Sequence, residues 1–252
     1  MANDSQLPEV NFKLAIPSRG RAGRVISHKH FELPALLVVP SEEVGEYSMM
    51  HPECRVLGQV GKGIAAARNT ILDELTGSNV LQLDDDVTEI GAYLDGGKKQ
   101  VLIGEPLRDL VGQLFGLAKF YGSWYFGCSP TSNAFYYDSR KRLSFNLFVN
   151  GSFSGYLTGC PLRFDTNLPL KEDYDFTLQA WKACRKVLRF NFVYADAAHR
   201  SNKGGAVDYR TAQLEEQAIT YLRQKWGKFI RDNPRRPHEI LLRLPSRRLG
   251  NG

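Results

Sequence analysis

The chain is poor in cysteine: Cys54, Cys128, Cys160 and Cys184 are scattered along 252 residues. Without a C-x-x-C pair, neither a zinc knuckle nor a dithiol redox motif is expected, and reduced structural thiols are the simplest reading. Long apolar runs are also missing. No stretch approaches the roughly 18 to 20 residues that a membrane helix needs, and the opening MANDSQLPEVNFK has no apolar signal core. A soluble, cytoplasmic protein with no membrane partner is therefore expected. With no internal repeat and no low-complexity segment, nothing points to a solenoid or to a module on a linker.

What is present is ordinary globular material, 42% hydrophobic and 24% charged, enough for one substantial domain. Its net charge of +6 favours polyanions such as nucleic acid. The stretch FIRDNPRRPHEILLRLPSRRLGNG concentrates Arg231, Arg235, Arg236, Arg243, Arg247 and Arg248 among prolines that prevent a long helix. We read residues 1–228 as the folded domain and 229–252 as a basic extension, suited to following a phosphate backbone or simply solvated.

Strand and helix patterns alternate. FKLAIPSRGR, ALLVVPS, HPECRVLGQ and NVLQL read as strands, and GKGIAAARNTILDELTG before NVLQL reads as a helix ended by Gly77. Farther on, PLRDLVGQLFGLAKFYG, KEDYDFTLQAWKACRK and AVDYRTAQLEEQAITYLRQKWGKF read as helices. The segments SWYFGCSPT and FNLFVNGSFSGYLTGCP read as strands or loops, and LRFNFVYADAAHR as a strand entering a polar loop. This order predicts an α/β fold with a mainly parallel sheet, in which ligands bind beyond the carboxyl ends of the strands.

At such an end stand Asp84, Asp85 and Asp86. Three adjacent carboxylates repel one another unless a cation or hydrogen-bond donors lie nearby. Hard oxygen ligands suit Mg²⁺ or Mn²⁺, which usually complete their coordination with water and substrate phosphates. The alternative is an acidic turn in which Asp86 caps the next segment.

The run AAARNTILDELTGSNVLQLDDDV resembles the donor-binding half of a GT-A glycosyltransferase, where an Ala-Arg-Asn opens a helix ahead of a strand ending in D-x-D. The resemblance implies that Arg68 and Asn69 lie beside the nucleotide. It implies that Asp84 faces the nucleoside and shares with Asp86 the metal that bridges the diphosphate of a UDP-type sugar, with Asp85 assisting either. The opening AIPSRGRA resembles the first strand and turn of such enzymes, making Pro17, Ser18, Arg19 and Arg21 nucleotide contacts.

A second acidic cluster, LKEDYDF, falls where the GT-A pattern has its x-E-D motif. Asp173 matches the family's base, which takes the acceptor hydroxyl's proton in an inverting displacement. Glu172 would position the acceptor or the base, and Asp175 is the weaker alternative base. As structure alone, these acids complement the positive end of the following helix. His199 in YADAAHRSNKGG matches the late metal-ligand histidine of GT-A enzymes. Lys203 in the NKGG stretch is placed to close over the diphosphate. His28 and His30, with no carboxylate run beside them, are read as surface residues.

Together IPSRGRA, ARNTILDE, LQLDDDV, KEDYDF and AHR resemble the TET-associated glycosyltransferases, a GT-A branch found mainly in bacteriophages, over about residues 12 to 205. That resemblance implies sugar transfer to 5-hydroxymethylcytosine or 5-hydroxymethyluracil in DNA, in the host cytoplasm if the chain is phage-encoded. Flipping such a base out of a duplex costs a few kcal/mol, which a stacking wall helps offset. Trp124, Tyr125, Phe153 and Tyr156 are candidates for that wall, against core packing as the plain alternative. The glycines of NGSFSGYLTG would allow close approach of the acceptor. Three rivals stay open: a GT-A enzyme with a saccharide, lipid or protein acceptor, a nucleotidyltransferase, and a DNA-binding module without catalysis.

Overall fold

The computed structural model describes residues 11–94, 97–198, 210–236 and 239–245. Its strands are β1 (Lys13–Pro17), β2 (Leu36–Val39), β3 (Arg55–Gly58), β4 (Val80–Leu83), β5 (Val87–Tyr93), β6 (Lys99–Val101), β7 (Tyr125–Ser129), β8 (Leu143–Ser144), β9 (Phe153–Tyr156), β10 (Leu188–Ala197), β11 (Ile230–Asp232) and β12 (Ile240–Leu242). The helices are α1 (Val44–Met50), α2 (Ile64–Glu74), α3 (Glu105–Phe120), α4 (Glu172–Cys184) and α5 (Ala212–Trp226).

One mixed sheet runs β3-β2-β1-β4-β9-β7-β10-β5-β6, with β8 paired to β10. β3, β2, β1 and β4 are mutually parallel, whereas β9 runs antiparallel to both β4 and β7. Strands buried on both faces read as continuous apolar runs, and alternate residues feed opposite layers. Thus Leu14, Ile16, Leu37, Val39, Leu81 and Leu83 join one core, packed with Leu107, Val111, Leu114 and Phe115 of α3. Ala15, Leu36, Val38 and Val80 join the other, with α2, α4 and α5. Each buried leucine, isoleucine or valine among them contributes about 1.5–3 kcal/mol of burial. On this second face of β4, Gln82 is fully buried and bonded to Arg68 of α2.

The expected strands and helices are present, and three features go beyond them. After the aspartates the chain re-enters the sheet as β5, antiparallel to β10. The short α1 lies between β2 and β3. The stretch expected to be partly extended contains the β11–β12 hairpin, and Ile230, Ile240 and Leu244 are buried in the second core while Arg231, Arg235, Arg236 and Arg243 stay exposed. Cys54, Cys128, Cys160 and Cys184 are free thiols. Among the described residues no helix is long and apolar enough to cross a membrane.

Candidate active site at the end of β4

The apolar run of β4 leaves the sheet at three aspartates whose side chains go to different partners. Asp84 accepts from Arg68 Nη2 at 2.9 Å and stays 33% exposed. Asp85 is buried, and its oxygens accept from Ser18 Oγ at 2.5 Å and Arg21 Nη1 at 2.7 Å. Burial raises the Asp85 pKa, against the opposing pull of Ser18 and Arg21. Asp86 accepts from the same Arg21 nitrogen at 3.2 Å.

The backbone of this turn is pinned from several sides. Asp84 N–H donates to Ser152 O at 3.1 Å, while Ser27 Oγ donates to Asp84 O at 2.5 Å and accepts from Val87 N–H at 2.9 Å. Ile26 N–H donates to Asp85 O, and Ala198 N–H donates to Asp86 O at 3.0 Å. The Asp86 contact brings the end of β10 against the acidic turn.

Arg68 in the second turn of α2 joins the two acidic clusters. Its buried guanidinium donates to Asp84, to Glu172 Oε1 at 3.3 Å, to Gln82 Oε1 at 3.3 Å and to Gly151 O at 3.2 Å. Burial works against its charge, but Asp84 and Glu172 outweigh it and hold the pKa above the ordinary arginine value. Gly151 permits this approach, since a Cβ there would lie 2.6 Å from Arg68 Nη2.

The second cluster opens α4. Lys171 precedes it in the left-handed region at φ 64°, a costly conformation for a side-chain-bearing residue, with its Nζ 2.5 Å from Glu215 Oε2. Asp173 accepts from Gly151 N–H at 3.3 Å and Tyr174 N–H at 2.9 Å. Burial, then the negative charge of Glu172, raise its pKa to about 7, while Arg68 and the two N–H groups oppose the shift. A carboxylate poised near neutrality is matched to proton transfer. Asp175 is fully buried and committed elsewhere: it accepts from Gln179 at 2.6 Å and Trp226 Nε1 at 2.7 Å, and lies 2.8 Å from Lys225 Nζ.

Several sequence expectations change at this point. Asn69, expected beside the nucleotide, uses both ends of its amide on the Phe164 backbone, at 2.9 and 2.7 Å. Pro17 is buried and paired with Val38, and Ser18 is held between Asp85 and the Tyr47 hydroxyl at 2.7 Å. Arg19 is exposed beyond them, and Arg21 is turned onto the aspartates. Tyr125, Phe153 and Tyr156 are buried core residues, so none offers a face to an acceptor base; Trp124 is partly buried. Two glycines of NGSFSGYLTG, Gly151 and Gly155, serve internal packing: a Cβ on Gly155 would lie 2.1 Å from the Phe126 ring. His28 is buried, not a surface residue, and bonds Glu53, while His30, half-buried, bonds Val87 O. His199 and Lys203 lie outside the described residues.

Sequence reasoning missed Gln82, Ser27, Tyr47 and Gly151. A lone amide inside the apolar VLQL was the readable signal for Gln82. The other three act through contacts distant in sequence. Asp84 and Asp86 fit a hard divalent cation by donor type, and both retain some exposure, 33% and 14%, whereas Asp85 has 6%.

A mainly parallel sheet between helical layers, with acids gathered beyond a central strand's carboxyl end, defines a GT-A-type fold. The sequence profile of the TET-Associated Glycosyltransferase family matches residues 12–205, and the chain belongs to that family. It is a glycosyltransferase. No curated protein matches it. Among solved structures, a mycobacterial protein superposes with TM-score 0.50 at 10% identity, over 94% of this chain and 85% of the other. S. aureus TarS, residues 1–349, gives TM-score 0.46 at 14% identity, over 86% and 73%. A UDP-glucose pyrophosphorylase complexed with UDP-glucose gives 0.36 at 9% identity, over 84% and 99%.

Proposed function

We infer that this glycosyltransferase moves a sugar from a nucleoside-diphosphate sugar, of the UDP class, to the hydroxymethyl group of 5-hydroxymethylcytosine or 5-hydroxymethyluracil in DNA. The observation that carries the chemistry is the joining of the Asp84 and Glu172–Asp173 ends through Arg68, with Asp173 held near neutrality beside them. In this reading Asp173 takes the proton from the acceptor hydroxyl as that oxygen bonds to the anomeric carbon. The bond to the diphosphate breaks on the opposite face, and the configuration inverts.

Asp84 and Asp86, with His199, would hold Mn²⁺ or Mg²⁺, which would supply positive charge to offset that of the departing diphosphate. His199 is the next residue after Ala198, whose N–H meets Asp86 O. Arg21, already among these acids, and Arg19 contact the phosphates, with Lys203 closing over them. Glu172, fixed by Arg68, positions Asp173 and the acceptor.

The DNA acceptor rests on the family and on charge: the net +6 and the exposed Arg231, Arg235, Arg236 and Arg243, in residues 229–252 read as a basic extension, favour a polyanion. Phe135 and Tyr136, 86% and 72% exposed and followed by Arg140, Lys141 and Arg142, add stackable rings beside cations. The test is incubation with Mn²⁺, a panel of nucleotide sugars and DNA containing hydroxymethylated pyrimidines, then digestion to nucleosides and mass spectrometry. A hexosylated hydroxymethylpyrimidine is expected. Donor turnover without DNA modification, and transfer to a saccharide, lipid or protein instead, would overturn the acceptor assignment.

A further inference from the structure

Apart from the acids assigned above, His28, His51 and Glu53 offer three ligand atoms that lie within 4.8 Å of one another. His28 Nε2 is 3.0 Å from Glu53 Oε1, and His51 Nδ1 is 3.7 Å from the same oxygen. Bonds of about 2.0–2.2 Å at tetrahedral angles would set ligand atoms roughly 3.3 Å apart. The two observed separations straddle that spacing. Both imidazoles are buried, at 4% and 6% exposure, while the Glu53 side chain is half exposed and gives the cluster an opening to solvent.

The hydrogen-bond partners of the two rings leave their cluster-facing nitrogens available to a cation. His51 Nε2 lies 2.6 Å from Ala22 O, an acceptor only, so that nitrogen carries the hydrogen. Its Nδ1 faces the Glu53 carboxylate oxygen, a place that suits a positive centre, either a metal ion or a proton. A ring N–H given to a backbone carbonyl is also the usual outer support of a metal-bound histidine. His28 Nδ1 is buried with no hydrogen-bond partner among the described residues, while its Nε2 meets Glu53 within the cluster.

We propose that His28, His51 and Glu53 form a second metal site, taking a Zn²⁺-class ion with solvent in the remaining position and serving the scaffold. Its place explains that role. Tyr47, one turn before His51, contacts Ser18 Oγ at 2.7 Å and accepts from Arg21 N–H at 3.0 Å. Ser27, the neighbour of His28, donates to Asp84 O. An ion here would staple the segments that carry the nucleotide loop and the acidic turn, without touching substrate.

The test uses the full chain with Asp84→Asn and Asp86→Asn, which silence the strand-end site, titrated with Zn²⁺ by calorimetry and with Co²⁺ by visible absorption. One equivalent of each should bind, with the Co²⁺ bands of a low-coordinate nitrogen and oxygen site, and Zn²⁺ should raise the thermal midpoint. Glu53→Gln keeps a half-exposed side chain of the same size, so folding should survive. It should weaken binding by at least the roughly 10- to 100-fold that losing an outer-shell partner costs. His51→Gln should abolish the Co²⁺ bands. Absence of saturable binding, or affinity unchanged in both variants, would overturn the proposal and leave a hydrogen-bonded His–Glu cluster held by a proton.

Discussion

Asp173 and Asp175 stand two residues apart in the first turn of α4, yet they live in opposite surroundings. Asp175 points inward, where Lys225, Trp226 and Gln179 meet both its oxygens. Asp173 is met by backbone N–H groups and lies against Glu172. Asp84 and Asp85 differ in exposure instead: Asp85 is buried on Ser18 and Arg21, while Asp84 meets Arg68 and stays more exposed. Neighbours in sequence thus do different jobs because their donors differ. Asp175, matched by side-chain donors, serves the scaffold, while Asp173, facing neutral N–H groups and a like charge, keeps a basicity useful near neutral pH.

If Arg68 is what couples the clusters, its removal should give the largest effect. Arg68→Met leaves Asp84 and the buried Glu172 without their shared cation, and we expect a loss of about 3–5 kcal/mol in chemical denaturation. A loss below about 1 kcal/mol would mean that the two ends hold their places independently. Asp175→Asn should come next, costing about 1.5–3 kcal/mol through weakened charge-assisted bonds to Lys225 and Trp226, with turnover per folded molecule nearly unchanged. A collapse of turnover without loss of stability would move the base from Asp173 to Asp175.

Gly151→Ala sharpens the comparison through the residue that serves both Arg68 and Asp173. The new methyl must displace the guanidinium, for a cost of about 1–3 kcal/mol in thermal unfolding. The smallest effect is in the pH dependence of stability. Asp173 binds its proton more tightly folded than unfolded, so stability should decline as pH rises from the ordinary carboxylate range to about 7. Denaturant midpoints across that window should show a shallower decline in Asp173→Asn.

The fold was legible because its signals are local: β1, β2 and β4 are short apolar runs, and the helices show their own periodicity. The acids of the site were legible as well, since like charges in succession demand an explanation. Their division of labour was not. It depends on Gly151 approaching Arg68 across 83 positions of chain and on Lys225 reaching back to Asp175 from the end of α5. The aromatics misled for a related reason. Tyr125, Phe153 and Tyr156 sit in adjacent strands whose faces are both covered by other layers, which no local pattern reveals. His28 read as a surface residue because its partner Glu53 is 25 positions away.

The assignment of Asp173 as the base is tested most directly by the single-turnover rate of sugar transfer, measured against pH for the native chain and for Asp173→Asn. The native rate should rise with pH through about 7 as the Asp173 carboxyl gives up its proton. Asp173→Asn should be slower by about 10²- to 10⁴-fold, with no such rise and with donor and acceptor affinities nearly unchanged. Near-native transfer by Asp173→Asn, with the same pH profile, would contradict the assignment.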